Sequence, residues 1–173
     1  MIQLILGGAR SGKSRLAEDT AKKSGLDVIY VATAQGLDEE MQVRVLHHKK
    51  QRPEYWTVIE EPILLADKLS EIDRENSLIL VDCLTLWMSN LLLDEDQKLQ
   101  QNECEKLLNI LPALKSEIIL VSNETGLGIV PIGEITRKFV DESGRLHQRL
   151  GQIADRVTFC VAGFPMILKG DKQ

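Results

Sequence analysis

The sequence predicts an α/β fold: a mostly parallel sheet flanked by helices, with an antiparallel hairpin at its C-terminal edge. Three observations predict it. Short apolar runs alternate with amphipathic stretches of helical period, the pattern of parallel strands joined by crossover helices. The first run passes directly through a glycine-rich turn into a helix-like segment. The last two runs, 156–162 and 166–169, flank Gly163-Phe164-Pro165, a spacing that fits an antiparallel hairpin. No repeat, low-complexity tract or linker interrupts the chain, so residues 1–173 read as a single domain.

The elements can be justified in order. Residues 2–6 form a buried strand, and Gly7-Gly8-Ala9-Arg10-Ser11-Gly12-Lys13-Ser14 follows it. That octet fits G-x-x-x-x-G-K-[ST], the phosphate-binding loop. Gly7, Gly8 and Gly12 let the backbone turn sharply, so that its N–H groups converge on one hollow. The next helix, 15–23, adds the positive end of its dipole. Lys13 can reach the β- and γ-phosphates, and the Ser14 hydroxyl can ligate Mg²⁺. Every residue of the octet is therefore a candidate nucleotide contact, and the fold class narrows to P-loop NTPase-like.

Residues 28–32 read as the second strand, which would bring Ala32, Thr33 and Ala34 to its C-terminal end near the loop. Asp38 can cap a charged helix that runs to about Gln51 and stops before Pro53. On it Arg44, His48 and Arg52 recur at a spacing of four and share a face, whereas His47 lies about 100° away. A strand at 56–59 and a helix at 63–72 come next. Residues 77–82 form a strong apolar strand ending in Asp82, the position of a magnesium-associated carboxylate in phosphate-loop enzymes; the alternative is that Asp82 caps the helix beginning near Leu84. Helices at 84–93 and 97–111 precede a strand at 117–122. The polar, glycine-bearing loop 123–131 then stands where a ligand-closing element or a purely structural loop would stand. A long helix, 132–154, with a possible break at Gly144, leads to the final hairpin.

Composition narrows the functional classes. A net charge of −5 argues against nucleic acid as the main partner. The three cysteines are odd in number, widely spaced and lack a C-x-x-C, which disfavours a disulfide framework or zinc site and fits a reducing cytoplasm. The longest apolar region, 78–93, is broken by Asp82, Ser89 and Asn90, so no membrane span is expected.

Taken together, separate stretches of the chain resemble the bifunctional adenosylcobinamide kinase / adenosylcobinamide-phosphate guanylyltransferase family. The matching pieces are the phosphate loop, Tyr30-Val31-Ala32-Thr33-Ala34-Gln35, Asp38-Glu39-Glu40-Met41, and Arg44-Val45-Leu46-His47-His48-Lys49-Lys50-Gln51-Arg52-Pro53. Trp56 with Glu60, Val81-Asp82-Cys83, Asn123-Glu124-Thr125-Gly126-Leu127-Gly128-Ile129-Val130-Pro131 and the region of Gly144-Arg145 complete the set. The resemblance implies phosphorylation of adenosylcobinamide by ATP or GTP, then GMP transfer from GTP through a guanylylated histidine to give adenosylcobinamide-GDP. By the family's R-x-x-x-H-x-x-x-R-P pattern that histidine is His48. It also implies catalysis by Lys13, nucleotide contacts from Lys49, Arg52, Glu60 and Asp82, and Mg²⁺ held by Ser14 and Asp82. It suggests a homo-oligomer, such as a trimer. One departure is His147, where the family more often has Asn.

The chemistry of the residues agrees with this. A neutral imidazole nitrogen is a competent nucleophile toward phosphorus. Arg44 and Arg52 on its face would hold phosphate charge and lower the His48 pKa toward the nucleophilic form. Without the resemblance, a solvated residue on a charged helix is the plainer reading of His48. Two other functions share the phosphate loop: a kinase of another small molecule without a histidine intermediate, and a nucleotide-binding switch domain.

Overall fold

The computed structural model describes residues 1–35, 53–96 and 98–170. Seven strands form one sheet: β1 (Ile2–Gly7), β2 (Asp27–Ala32), β3 (Thr57–Glu60), β4 (Ser77–Asp82), β5 (Glu117–Asn123), β6 (Arg156–Val161) and β7 (Phe164–Lys169). Their spatial order is β3-β2-β4-β5-β1-β6-β7. All neighbours pair in parallel except β6 and β7, which form the antiparallel edge expected from the short final connection. The helices of the described residues are α1 (Lys13–Lys23), α2 (Leu65–Ile72), α3 (Leu84–Leu92), α4 (Leu99–Ile110) with a 3₁₀ turn at Leu111–Ala113, and α5 (Glu134–Ile153).

Both faces of the sheet are buried over its central strands, which is why these read as continuous apolar runs rather than alternating ones. Leu4 and Leu6 of β1 face a core built with Leu65, Trp87, Leu107 and Leu150 of α2 to α5. Ile5 between them faces the opposite way, into a core with Ala17 and Ala21 of α1, Tyr30, Leu80 and Val121. The small side chains of α1 let that helix lie close on the sheet. This fixes the glycine-rich turn that joins it to β1.

Besides shifts of one or two residues at several element ends, three differences from expectation stand out. The first helix begins at Lys13, so the last two residues of the phosphate motif are already helical. The long final helix runs unbroken through Gly144. A glycine there costs about 1 kcal/mol, and the burial of Ser143, Leu146, His147 and Leu150 along one stripe offsets it. The hairpin turn is Ala162-Gly163, both at positive φ (51° and 85°), and Phe164 and Pro165 belong to β7. Two successive positive-φ residues match the twist of a tight hairpin. Proline is tolerated on an edge strand, where it need not donate to a ladder. The helix expected over 38–51 lies outside the described residues.

Candidate active site

The parallel register brings the C-terminal ends of the strands to one edge. Gly7 of β1 is level with Asn123 of β5, and Ala32 of β2 with both Asp82 of β4 and Glu60 of β3. The phosphate loop rises from this edge. The Ser11 N–H donates to the Gly8 carbonyl (3.2 Å), closing the turn. Gly12 caps α1 in a left-handed conformation (φ 94°), and no side chain caps the helix. The first N–H groups of α1 are thus left to an incoming anion. Lys13 is largely buried, and its ammonium lies 3.2 Å from the Gly8 carbonyl, folded across the mouth of its own loop. Ser14 sits in the first turn of α1. Ser11 Oγ is buried with no hydrogen-bond partner among the described residues.

Asp82 ends β4 two strands from the loop, with β5 between, which sets the strand axes roughly 10 Å apart. The Tyr30 hydroxyl donates to its carboxylate at 2.9 Å. The N-cap of α3 is Cys83, without a side-chain cap bond, so capping is not the work of Asp82. Asp82 and Ser14 offer hard oxygen donors, and no trio of His, Cys, Asp or Glu able to hold a metal occurs among the described residues. That donor set fits Mg²⁺, which takes one or two protein oxygens together with substrate phosphates.

Not every expected contact converges. Thr33 is fully buried, and its hydroxyl donates to the Cys83 carbonyl (2.7 Å) and accepts from the Cys83 N–H (3.0 Å). It ties β2 to β4 instead of facing the edge. Ala34 follows it, half-buried. Glu60 is exposed at the end of the outermost strand, four strands and roughly 19 Å from β1. His48, Lys49 and Arg52, with Arg44 and His47, lie outside the described residues. Burial pushes the Cys83 thiol up to about 11, with the Asp82 charge adding to it, and burial also raises Cys160. Both flank the loop as protonated, unreactive thiols.

Sequence reasoning missed two supports of the site. One is Tyr30, whose buried hydroxyl needs a partner and finds Asp82. The other is the β6–β7 turn. The Gly163 N–H donates to the Ser11 carbonyl at 2.9 Å. A Cβ on Gly12 would come within 3.1 Å of Gly163 Cα, so a side chain there would crowd the turn in addition to the strain of its φ. The positive-φ preference of Gly163 was a readable signal; its meeting with residue 12 was not.

Comparison with known proteins gives the family and the fold. The family model described as cobinamide kinase / cobinamide phosphate guanyltransferase matches residues 3–168. The chain is 55% identical to the bifunctional adenosylcobalamin biosynthesis protein CobP of Pseudomonas aeruginosa, over 99% of each chain. It is 36% identical to the bifunctional adenosylcobalamin biosynthesis protein CobU of Escherichia coli, over 98% of this chain and 100% of the other. Among solved structures, a protein of Pyrococcus horikoshii OT3 superposes with a TM-score of 0.61 at 12% identity, covering 99% of this chain and 87% of that one. The RadB recombinase gives 0.51 at 18%, over 91% and 73%. At such identities the likeness concerns the fold alone, and that fold is P-loop NTPase-like.

Proposed function

The chain belongs to the cobinamide kinase / cobinamide phosphate guanyltransferase family, and from that membership we propose how its residues divide two reactions. It is an adenosylcobinamide kinase and adenosylcobinamide-phosphate guanylyltransferase of cobalamin biosynthesis. In the kinase step the acceptor hydroxyl oxygen bonds to the γ-phosphorus of ATP or GTP, and the bond to the β-phosphate oxygen breaks with its electron pair. The loop N–H groups and Lys13 neutralise the charge on the transferred group. Ser14 and Asp82 would hold Mg²⁺, which would supply charge neutralisation to the transferring phosphates.

In the second reaction the His48 imidazole nitrogen attacks the α-phosphorus of GTP, and pyrophosphate leaves. An oxygen of adenosylcobinamide phosphate then attacks the same phosphorus, breaking the P–N bond and giving adenosylcobinamide-GDP. Arg52 and Lys49 bind phosphate charge. Ala32, Thr33, Ala34 and Glu60 serve the rest of the nucleotide, Thr33 through the backbone that its side chain anchors. The observation that carries this reading is the uncapped N-terminus of α1 with Lys13 across it and Asp82 on the same sheet edge.

The chain acts as a homo-oligomer, such as a trimer, supported by exposed apolar residues along β7 and the loop after β5. A cytoplasmic setting is supported by three free, buried cysteines. No helix of the described residues is long and apolar enough to cross a membrane.

Incubation with α-labelled GTP tests the reading. Wild type retains an acid-labile label, and His48→Ala loses both label and guanylyl transfer while keeping kinase activity. His47→Ala keeps the label. Label retained by His48→Ala removes the nucleophile from that position, and no label on any variant leaves a small-molecule kinase or a switch.

A further inference from the structure

Residues 122–124 are each tied to a neighbouring element, Ser122 through its side chain and Asn123 and Glu124 through their backbone N–H groups. Ser122 Oγ lies 2.8 Å from His147 Nε2 of α5 and 3.3 Å from Thr85 Oγ1 of α3. The Asn123 N–H donates to Thr85 Oγ1 at 2.7 Å. The Glu124 N–H donates to the Gly7 carbonyl at 3.1 Å, joining the segment to the phosphate loop. Glu124 itself is held by the Gly126 N–H (2.6 Å) and stands 3.8 Å from His147 Nδ1. One side chain is left out of this lattice. The carboxamide of Asn123 has no hydrogen bond to any described residue, although the residue is only partly exposed.

Strand alternation says where that carboxamide goes. Val121 packs in the core that contains Ala17 and Ala21 of α1. Ser122 turns the other way, toward α5. Asn123 therefore projects on the face of α1. It is level with Gly7 at the base of the phosphate loop, and one pleat beyond Val121, the partner of Asp82. β5 lies between the strand that carries the loop and the strand that carries Asp82. In phosphate-loop enzymes the metal joins the β- and γ-phosphates. The β-phosphate belongs to the loop hollow, and the magnesium-associated carboxylate is on β4. A γ-phosphoryl group held between the loop on β1 and the carboxylate on β4 would lie over the end of β5.

We propose that the Asn123 carboxamide is a further nucleotide-binding group of the kinase reaction, donating its N–H to the γ-phosphoryl oxygens. It distinguishes a nucleoside triphosphate from a diphosphate, and Thr85, Ser122 and His147 are its positioning residues. The inference rests on the phosphate-loop reading above. A neutral amide suits the place: it gives donors to an anion without a cation that would pair with Asp82, and it takes no proton. The rigid backbone removes the entropic cost of ordering the contact.

The test compares the affinity of GTP carrying a β,γ-imido bridge with that of GDP, by calorimetry with Mg²⁺, in the His48→Ala background so that no GMP is transferred to the protein. Asn123→Ala should weaken the triphosphate about ten-fold, the scale of one hydrogen bond to a charged group, and leave GDP unchanged. The isosteric Asn123→Asp should lower the preference further, because a carboxylate repels the γ-phosphate. Thr85→Val should shift the same ratio in the same direction, and Thr85→Ser should restore it. Lys13→Ala is the control. If it weakens neither nucleotide, the phosphate-loop reading itself fails. If it weakens both, and the ratio in Asn123→Ala or Asn123→Asp stays that of the His48→Ala parent, the Asn123 assignment alone is overturned. An equal loss for both nucleotides in these variants overturns it as well.

Discussion

His147 shows what a single buried residue contributes. Burial lowers its pKa below the ordinary 6.5, against the smaller upward pull of Glu124. The imidazole is therefore neutral in the native protein at neutral pH and can bond Ser122. The unfolded chain takes up a proton near 6.5, and the native state resists it. The stability this residue contributes is present above 6.5 and is lost as pH falls through 6.5 toward the lower native value. His147→Asn, which leaves no titrating group, should flatten that loss. Thermal melts between roughly pH 7.5 and 5.5 check it, and wild type should lose more than the variant. At this scale Lys13 and Asp82 were legible, because each is marked by neighbours in sequence: a glycine octet for one, an apolar run for the other. Tyr30 and Thr85 were not. Their partners, Asp82 and Asn123, are distant in sequence, and only strand order brings them together.

Among elements, the buried strands were the easiest to read. Residues 77–82 were expected as a strand and form β4 without a shift, because a sheet covered on both faces demands a continuous apolar run. The hairpin turn was misplaced because Pro165 looks like a breaker, although an edge strand tolerates it. The loop after β5 carries a prediction of its own. A Cβ at Gly128 would meet nothing within 4 Å, so Gly128→Val should fold with wild-type stability. If the loop closes over substrate, the same change should lower turnover about ten-fold or more, as a small misplacement of a closing element does. Melting temperature and kcat measured together decide between the two roles. A shifted melt with unchanged kcat marks the loop as structural.

For the whole molecule, the sheet is sealed on both faces at its centre but not at its last strand. Phe164, Met166 and Leu168 of β7 are 76%, 53% and 59% exposed, and Leu127, Ile129, Val130 and Ile132 are exposed beside the active edge. An apolar edge strand is a liability unless it is covered. The proposed oligomer would cover it. Phe164→Glu with Met166→Glu should shift sedimentation from oligomer to monomer and leave the circular dichroism of the fold unchanged. A monomeric wild type at micromolar concentration refutes the oligomer. This property was hard to read because alternation on an edge strand looks the same whether its outer side meets water or a neighbour.

The contact of the β6–β7 turn with the phosphate loop reaches beyond geometry. Because the Gly163 N–H is bonded to the Ser11 carbonyl, that amide can exchange its hydrogen only when turn and loop separate. A nucleotide that binds the closed loop must add its binding free energy to the cost of that separation. The hairpin then becomes a reporter of occupancy. Saturating nucleotide should slow deuterium uptake at Gly163 by roughly the ratio of ligand concentration to dissociation constant, while peptides from α2, remote from the loop, keep their rates. Equal slowing in both regions, or none at Gly163, would show that the turn and the loop open independently.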